Sequence, residues 1–320
     1  MIFTNMVTGI DCSKDYFDVV LIDKDKKVFE GRFTNNAKGF KEALPHIQES
    51  HVVMEHTGPY SFSLACLLYD SHVRVSVVNP LVIRRFSQTR MIRAKTDRKD
   101  ALIIAEYGLM YQPPLWSMPN EKIQEIRQWE ACLRGMIKCK VMLMNQYHAF
   151  EHSGNFVDAV REKMEVQVQN QELEIMQVES KIQALIQEVF PELHKNLTSI
   201  PGIGPKSAVL MIVLTNGFHD FENHKQVISY FGLAPRIYES GSSVRGRSGI
   251  CKMGMSSVRA VLFMAARTAR LYNPTCKDLY DRLRSAGKAH RVAMIAVVNK
   301  LIKQAFAIAK SGESYRLVKS

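Results

Sequence analysis

The spacing of apolar residues changes at Pro119, and that change limits what the chain can fold into. Before it, short β-branched and aromatic runs alternate with polar turns. VTGIDC (7–12), FDVVLID (17–23) and KVFEGRF (27–33) read as three consecutive strands. A helical pattern follows over 38–48, then the strand HVVME (51–55), a helix over 62–69, and the strand VRVSVV (73–78). A helix over 96–110 ends at QPP. Three meandering strands followed by alternating helices and strands predict an α/β layer domain with a mixed sheet over 1–115.

Beyond Pro119 the period is helical. Ile126, Trp129, Leu133 and Met136 step by 3, 4 and 3; after HSGN (152–155), Ile175, Val178, Ile182, Leu185 and Val189 step by 3, 4, 3 and 4. A 3.5-residue seam on two long helices predicts an antiparallel coiled-coil arm over 116–195. Its glutamines, Gln167, Gln169, Gln171, Gln183 and Gln187, predict a polar outer face on an arm that meets another subunit. The remainder, 196–320, is predicted mainly helical, with helices over 226–231, 256–271, 277–284 and 292–309 and one long glycine-rich loop.

A formal net charge of +12 calls for a polyanionic partner. Its distribution favours nucleic acid over a membrane surface. Between Ser240 and Lys277 there is no acid but seven basic residues, mostly arginine, whose planar fork matches phosphate oxygens. A second basic cluster runs from Arg84 to Lys99, interrupted by Asp97. No C-x-x-C pair occurs among six cysteines, so neither a zinc site nor a disulfide framework is expected. With no signal peptide and no apolar run read as long enough to span a bilayer, the expected compartment is the cytoplasm, with no membrane partner.

Four carboxylates stand where strand ends and a helix start can bring them together. Asp11 closes the first strand, Glu55 the fourth, and Asp97 and Asp100 lie three apart at a helix start, on one face. Strand ends are where sites assemble in open α/β sheets. Converging carboxylates repel unless a cation lies between them, and Mg²⁺ takes hard oxygen ligands and also coordinates phosphate. Two such ions about 4 Å apart would stabilise both oxygens of a phosphodiester displacement. The order strand-Asp, strand-Glu, helix-Asp-x-x-Asp is that of a ribonuclease-H-like nuclease fold.

Two further motifs concern phosphate. IPGIGPKSA (200–208) has the glycine spacing of a helix-hairpin-helix turn, in which Gly202, Gly204 and Lys206 would hold a phosphate without reading a base. YESGSSVRGRSG (238–249) combines glycines with Arg245 and Arg247, and Lys252 follows; taken alone it reads as a flexible phosphate-binding loop. A serine nucleophile there needs a base or a metal, and the loop contains no histidine.

Together, GIDCSKDYFDV, MEHTGPY, VSVVNP, KTDRKDA, IPGIGPKSA and GLAPRIYESGSSVRGRSGICKMG cover nearly the whole chain. In these motifs the chain resembles the DEDD-type insertion-sequence transposases, related to the Piv-type DNA invertases, some of which are guided by a bridge RNA. The resemblance implies a RuvC-like domain in which Asp11, Glu55, Asp97 and Asp100 bind Mg²⁺. It implies Ser240 as the nucleophile that links transiently to DNA, with Ser242 and Ser243 as rivals. It further implies donor and target DNA and a guide RNA as partners, a dimer or tetramer with composite sites, and a nucleoid-associated protein of a prokaryote. Cys12 departs from the family pattern, where Thr or Val is commoner. The competing readings are a junction-resolving metal nuclease, a non-catalytic nucleic-acid-binding protein, and an actin-like ATPase suggested by GIDCSKDYFDVVLID.

Overall fold

The computed structural model describes residues 6–24, 26–90, 97–236, 239–240, 244–245, 249–251 and 253–316. It divides into two compact units, Met1–Pro119 and Asn120–Ser320.

In the first unit, β1 (Met6–Cys12), β2 (Tyr16–Asp23) and β3 (Lys26–Thr34) form a meander. Ser13 closes its first turn: its backbone N–H and its hydroxyl both donate to the Tyr16 carbonyl, at 2.8 and 2.7 Å. After α1 (Ala37–Ile47), β4 (His51–Glu55) returns beside β1 in parallel; after α2 (Pro59–Asp70), β5 (Arg74–Val78) extends the sheet. The strand order is β3-β2-β1-β4-β5, with β1 at the centre. A central strand needs apolar side chains on both faces. Ile10 and Cys12 pack into one core with α1 and α2, while Val7 packs into the other with α3 (Pro80–Thr89) and α4 (Asp97–Tyr111).

α3 lies in a stretch whose basic residues mask its helical pattern in the sequence. Its start signal is present in the sequence: the Asn79 side chain accepts from the Leu81 N–H at 2.9 Å and Pro80 occupies the first turn. Ile83 and Phe86 are buried, leaving Arg84 and Arg85 exposed.

The second unit opens with two 32-residue helices, α5 (Glu121–His152) and α6 (Asp158–Val189), each about 48 Å long at 1.5 Å per residue. Lys140–Glu172 (2.6 Å) and Tyr147–Glu165 (2.8 Å) join them. Ile126, Leu133, Ile182 and Leu185 enter the same core as the helices that follow. Of the glutamines predicted for an outer face, Gln183 is half-buried while Gln187 stays exposed. Gln183 and Gln187 reach the ring nitrogens of buried His194 on α7 (Pro191–Thr198), at 3.4 and 3.1 Å. Burial holds that imidazole below the ordinary histidine range, so it is neutral at pH 7.

α8 (Pro205–Thr215), α9 (His224–Tyr230), α10 (Ser256–Tyr272), α11 (Pro274–Ser285) and α12 (His290–Ser311) complete the unit. Fully buried Asn273 links them. It donates to the Pro201 carbonyl and to Gln304, and accepts from Thr275 and from the Cys276 N–H that it caps. Contrary to the expectation that no run is long enough, α12 has the length and hydropathy to cross a bilayer. Its Met294, Val297, Val298, Leu301 and Ile302 face the core of the second unit, which accounts for its apolar composition.

Candidate active site

Register and alternation bring the first-unit carboxylates to one edge of the sheet. Ile10 of β1 is the neighbour of Met54 on β4, so the next residues, Asp11 and Glu55, stand side by side at adjacent parallel strand ends. Side chains two apart on a strand share a face, so Asp11 shares the face of Gly9. That face is covered by α4: a Cβ on Gly9 would lie 2.0 Å from the Ala101 carbonyl oxygen and 2.3 Å from the Ala105 nitrogen. One further turn along α4, a Cβ on Gly108 would lie 2.6 Å from Val53 and 2.8 Å from Val7. The helix therefore runs antiparallel to β1, and its first turn, starting at Asp97 and containing Asp100, overlies the Asp11 end. Asp11, Glu55 and Asp100 are each partly buried there.

A fifth carboxylate, missed from sequence, extends the row. Asp18 is the cross-strand partner of Asp11 and Arg32 the partner of Asp18. Asp18 is 3% exposed and takes charge-assisted bonds from Arg32, Nε to Oδ1 at 3.0 Å and to Oδ2 at 3.2 Å, and Nη2 to Oδ2 at 2.8 Å. The available signal was an acid inside the apolar run FDVV, the same signal that drew notice to Glu55. Arg98 of α4 pairs with Glu30 of β3 at 3.5 Å, and Arg90 with Glu106 at 3.0 Å, which tie the start and middle of α4 to their neighbours. Lys27 and Arg98 hold the Glu30 carboxyl below its ordinary range.

The donor set suits a hard divalent cation rather than a soft one. Cys12 adjoins Asp11 in sequence, and burial, followed by the Asp11 charge, pushes its thiol up to about 12. It packs into the opposite core with Phe17 and Ile10. Thr57, in the segment leaving Glu55, has a solvent-shielded Oγ1 without a protein partner, a polar group that an ion's bound water can serve. Among the described residues no three His, Cys, Asp or Glu side chains close around a metal-sized point.

In the second unit, the segment read as a flexible loop contains paired strands. β6 (Pro235–Arg236) pairs with β9 (Gly249–Ile250), and β7 (Glu239–Ser240) pairs with β8 (Val244–Arg245), both antiparallel. Ser240 is the register partner of Val244. Arg245 is opposite Glu239. Ser242, Ser243, Arg247 and Lys252 lie outside the described residues.

The glycines of IPGIGPKSA have different tasks. Gly202 has φ +105° and sits against α10, where a Cβ would be 2.5 Å from that of Ala269. Gly204 precedes α8 with open space beside it, so backbone approach by a ligand is unobstructed. Lys206 is exposed and pairs with Glu179 of α6 at 2.6 Å, a bond it would exchange to take a phosphate.

Comparison with known proteins places these features. Residues 8–150 match a transposase model of the DEDD IS110 type, and residues 194–281 match the model described as Transposase IS116/IS110/IS902 family. The pilin gene-inverting protein of Moraxella lacunata is 31% identical over 318 residues, 96% of this chain and 96% of that protein. The transposase for insertion sequence element IS1111A of Coxiella burnetii is 21% identical over 97% of this chain and 91% of its own length. Among solved structures, Thermus thermophilus RuvC in complex with Holliday junction substrate matches at 14% identity and a TM-score of 0.26, over 35% of this chain and 99% of that one.

Proposed function

Because the chain belongs to the family of IS110-type transposases and pilin-gene-inverting proteins, we propose that it cuts and rejoins DNA through a serine–DNA intermediate, guided by a bridge RNA. The observation that carries the reading is the in-register pair Asp11 and Glu55 beneath the first turn of α4. Asp11, Glu55, Asp97 and Asp100 form the metal-binding set of a RuvC-like domain. Mg²⁺ held by these residues would supply charge stabilisation to a phosphoryl group undergoing displacement.

The chain's own residues do the remainder. Ser240 Oγ bonds to phosphorus as the bond from phosphorus to one deoxyribose oxygen breaks. The hydroxyl proton passes to a carboxylate of the cluster, and the leaving oxygen takes one from solvent. A deoxyribose hydroxyl then attacks the phosphoserine and restores the serine, so neither step consumes water. Ser240 is the serine taken as nucleophile, with Ser242 and Ser243 as its rivals. Arg245 and Arg247 neutralise the phosphate, and Lys252 with the Gly202–Gly204–Lys206 turn holds the DNA backbone.

The acids lie in one unit and the serine in the other. The reading joins them from different subunits of a dimer or tetramer. The α5–α6 hairpin supports this as a coiled-coil arm: Val141, Met142, Val166, Leu173 and Met176 are all exposed on it, an apolar surface suited to a second copy. In functional terms the divisions are 1–115, 116–195 and 196–320.

The test is a denaturing gel of protein with flanking-element RNA, Mg²⁺ and labelled donor and target DNA. Wild type is expected to give a protease-sensitive protein–DNA adduct, and Ser240→Ala to give none. Cleavage by Ser240→Ala to free ends would make the protein a hydrolytic nuclease.

A further inference from the structure

Away from this machinery, a cleft of about 680 Å³ lies between the second half of α10 and the start of α12. That volume falls in the ~300–1,000 Å³ range of sites that hold a small ligand or one monomer unit. Arg267, Arg270 and Arg291 edge it together with His290. No lining residue is acidic, and neither helix contains an Asp or Glu. Arg270 is oriented from the side: its guanidinium stands 4.9 Å over the Tyr280 ring, whose hydroxyl is 2.7 Å from His290 Nδ1.

The same rim carries apolar surface that the fold leaves uncovered. Tyr272 is 70% exposed, Leu271 60% and Met264 56%. A duplex engages cations through its phosphates but keeps its base faces stacked inside. An unpaired strand presents phosphates and a bare aromatic face together, the two chemistries that alternate along this rim. An anionic bilayer also offers charge and apolar surface, but it is flat, whereas this site is concave and dominated by arginine forks suited to single phosphates.

We propose that the α10–α12 cleft binds an unpaired nucleotide stretch, with phosphates on Arg267 and Arg291 and a base stacked on Tyr272. The proposal rests on the recombinase reading, since guide RNA and opened DNA are the unpaired strands such a reaction presents.

The experiment is fluorescence anisotropy of the full chain with a short labelled unpaired oligonucleotide, the same sequence as duplex, and vesicles containing anionic lipid. Tyr272→Ala is expected to weaken the unpaired strand about tenfold and leave the duplex unchanged, and Tyr272→Phe to restore wild-type affinity. Arg267→Ala with Arg291→Ala should reduce the salt dependence of unpaired-strand binding by about two phosphate contacts. Equal binding of the unpaired strand by wild type and all variants overturns the cleft assignment while leaving the recombinase reading intact. Loss confined to vesicle adsorption overturns it in favour of a membrane surface. A wild type that binds neither oligonucleotide overturns both readings.

Discussion

Asp11→Asn is expected to lower strand cleavage by about 10³-fold or more, because it removes one charged oxygen from the edge proposed to hold the metal. The side chain is partly buried at a strand end, its shape is retained, and the apolar core below it is untouched. Thermal unfolding should therefore move little. Quantifying cleaved DNA on a denaturing gel checks the first statement, and a Mg²⁺ titration by calorimetry, with no DNA present, checks the metal directly. Cleavage within tenfold of wild type would remove Asp11 from the mechanism.

Gly9→Ala is expected to destabilise the first unit strongly. The added carbon meets the Ala101 carbonyl oxygen at 2.0 Å and the Ala105 nitrogen at 2.3 Å, and both are helix backbone. No rotamer relieves that contact, so α4 must move off the sheet. Overpacking a core costs about 1–3 kcal/mol, and a clash with rigid backbone belongs at or beyond the upper end. Because α4 also carries Asp97 and Asp100, DNA cleavage should fall together with stability. Gly204→Ala is the matched control: its Cβ would enter open space at an ordinary φ of −84°, and stability should change by less than about 0.5 kcal/mol. Chemical denaturation followed by far-UV circular dichroism reads both; equal effects from the two substitutions would contradict the packing argument.

These two residues also show how much of the molecule the sequence discloses. The strands of the first unit were legible because β-branched runs of four to eight residues punctuated by polar turns have few other uses. The acids Asp11 and Glu55 stood out because each ends such a run. What sequence could not provide was register. That Asp18 faces Asp11 and takes Arg32 as partner depends on which residues of β1, β2 and β3 pair, a long-range property. Gly9 likewise looks like an ordinary strand glycine until α4 is placed on it.

In the second unit the errors have local causes. Glycine density in YESGSSVRGRSG predicts a flexible loop, and among its described residues Glu239–Ser240 pairs with Val244–Arg245. Gln183 is half-buried rather than solvent-facing because the helical seam meets more than its twin. The buried imidazole of His194 on α7 supplies a second partner surface. The apolar face of α12 passed as too short to notice because its lysines, Lys300, Lys303 and Lys310, interrupt the run in sequence but not on the buried side.

The central claim is that carboxylates from one subunit and a serine from another act on one phosphate. The most direct measurement mixes two inactive proteins, Ser240→Ala and Asp11→Asn, and assays recombination alongside each alone. Each alone should be inactive, and co-assembly should restore activity, since some sites then receive an intact acid cluster and an intact serine. A mixed assembly, verified by differently tagged subunits, that stays inactive while each variant is rescued by wild type would contradict the composite site.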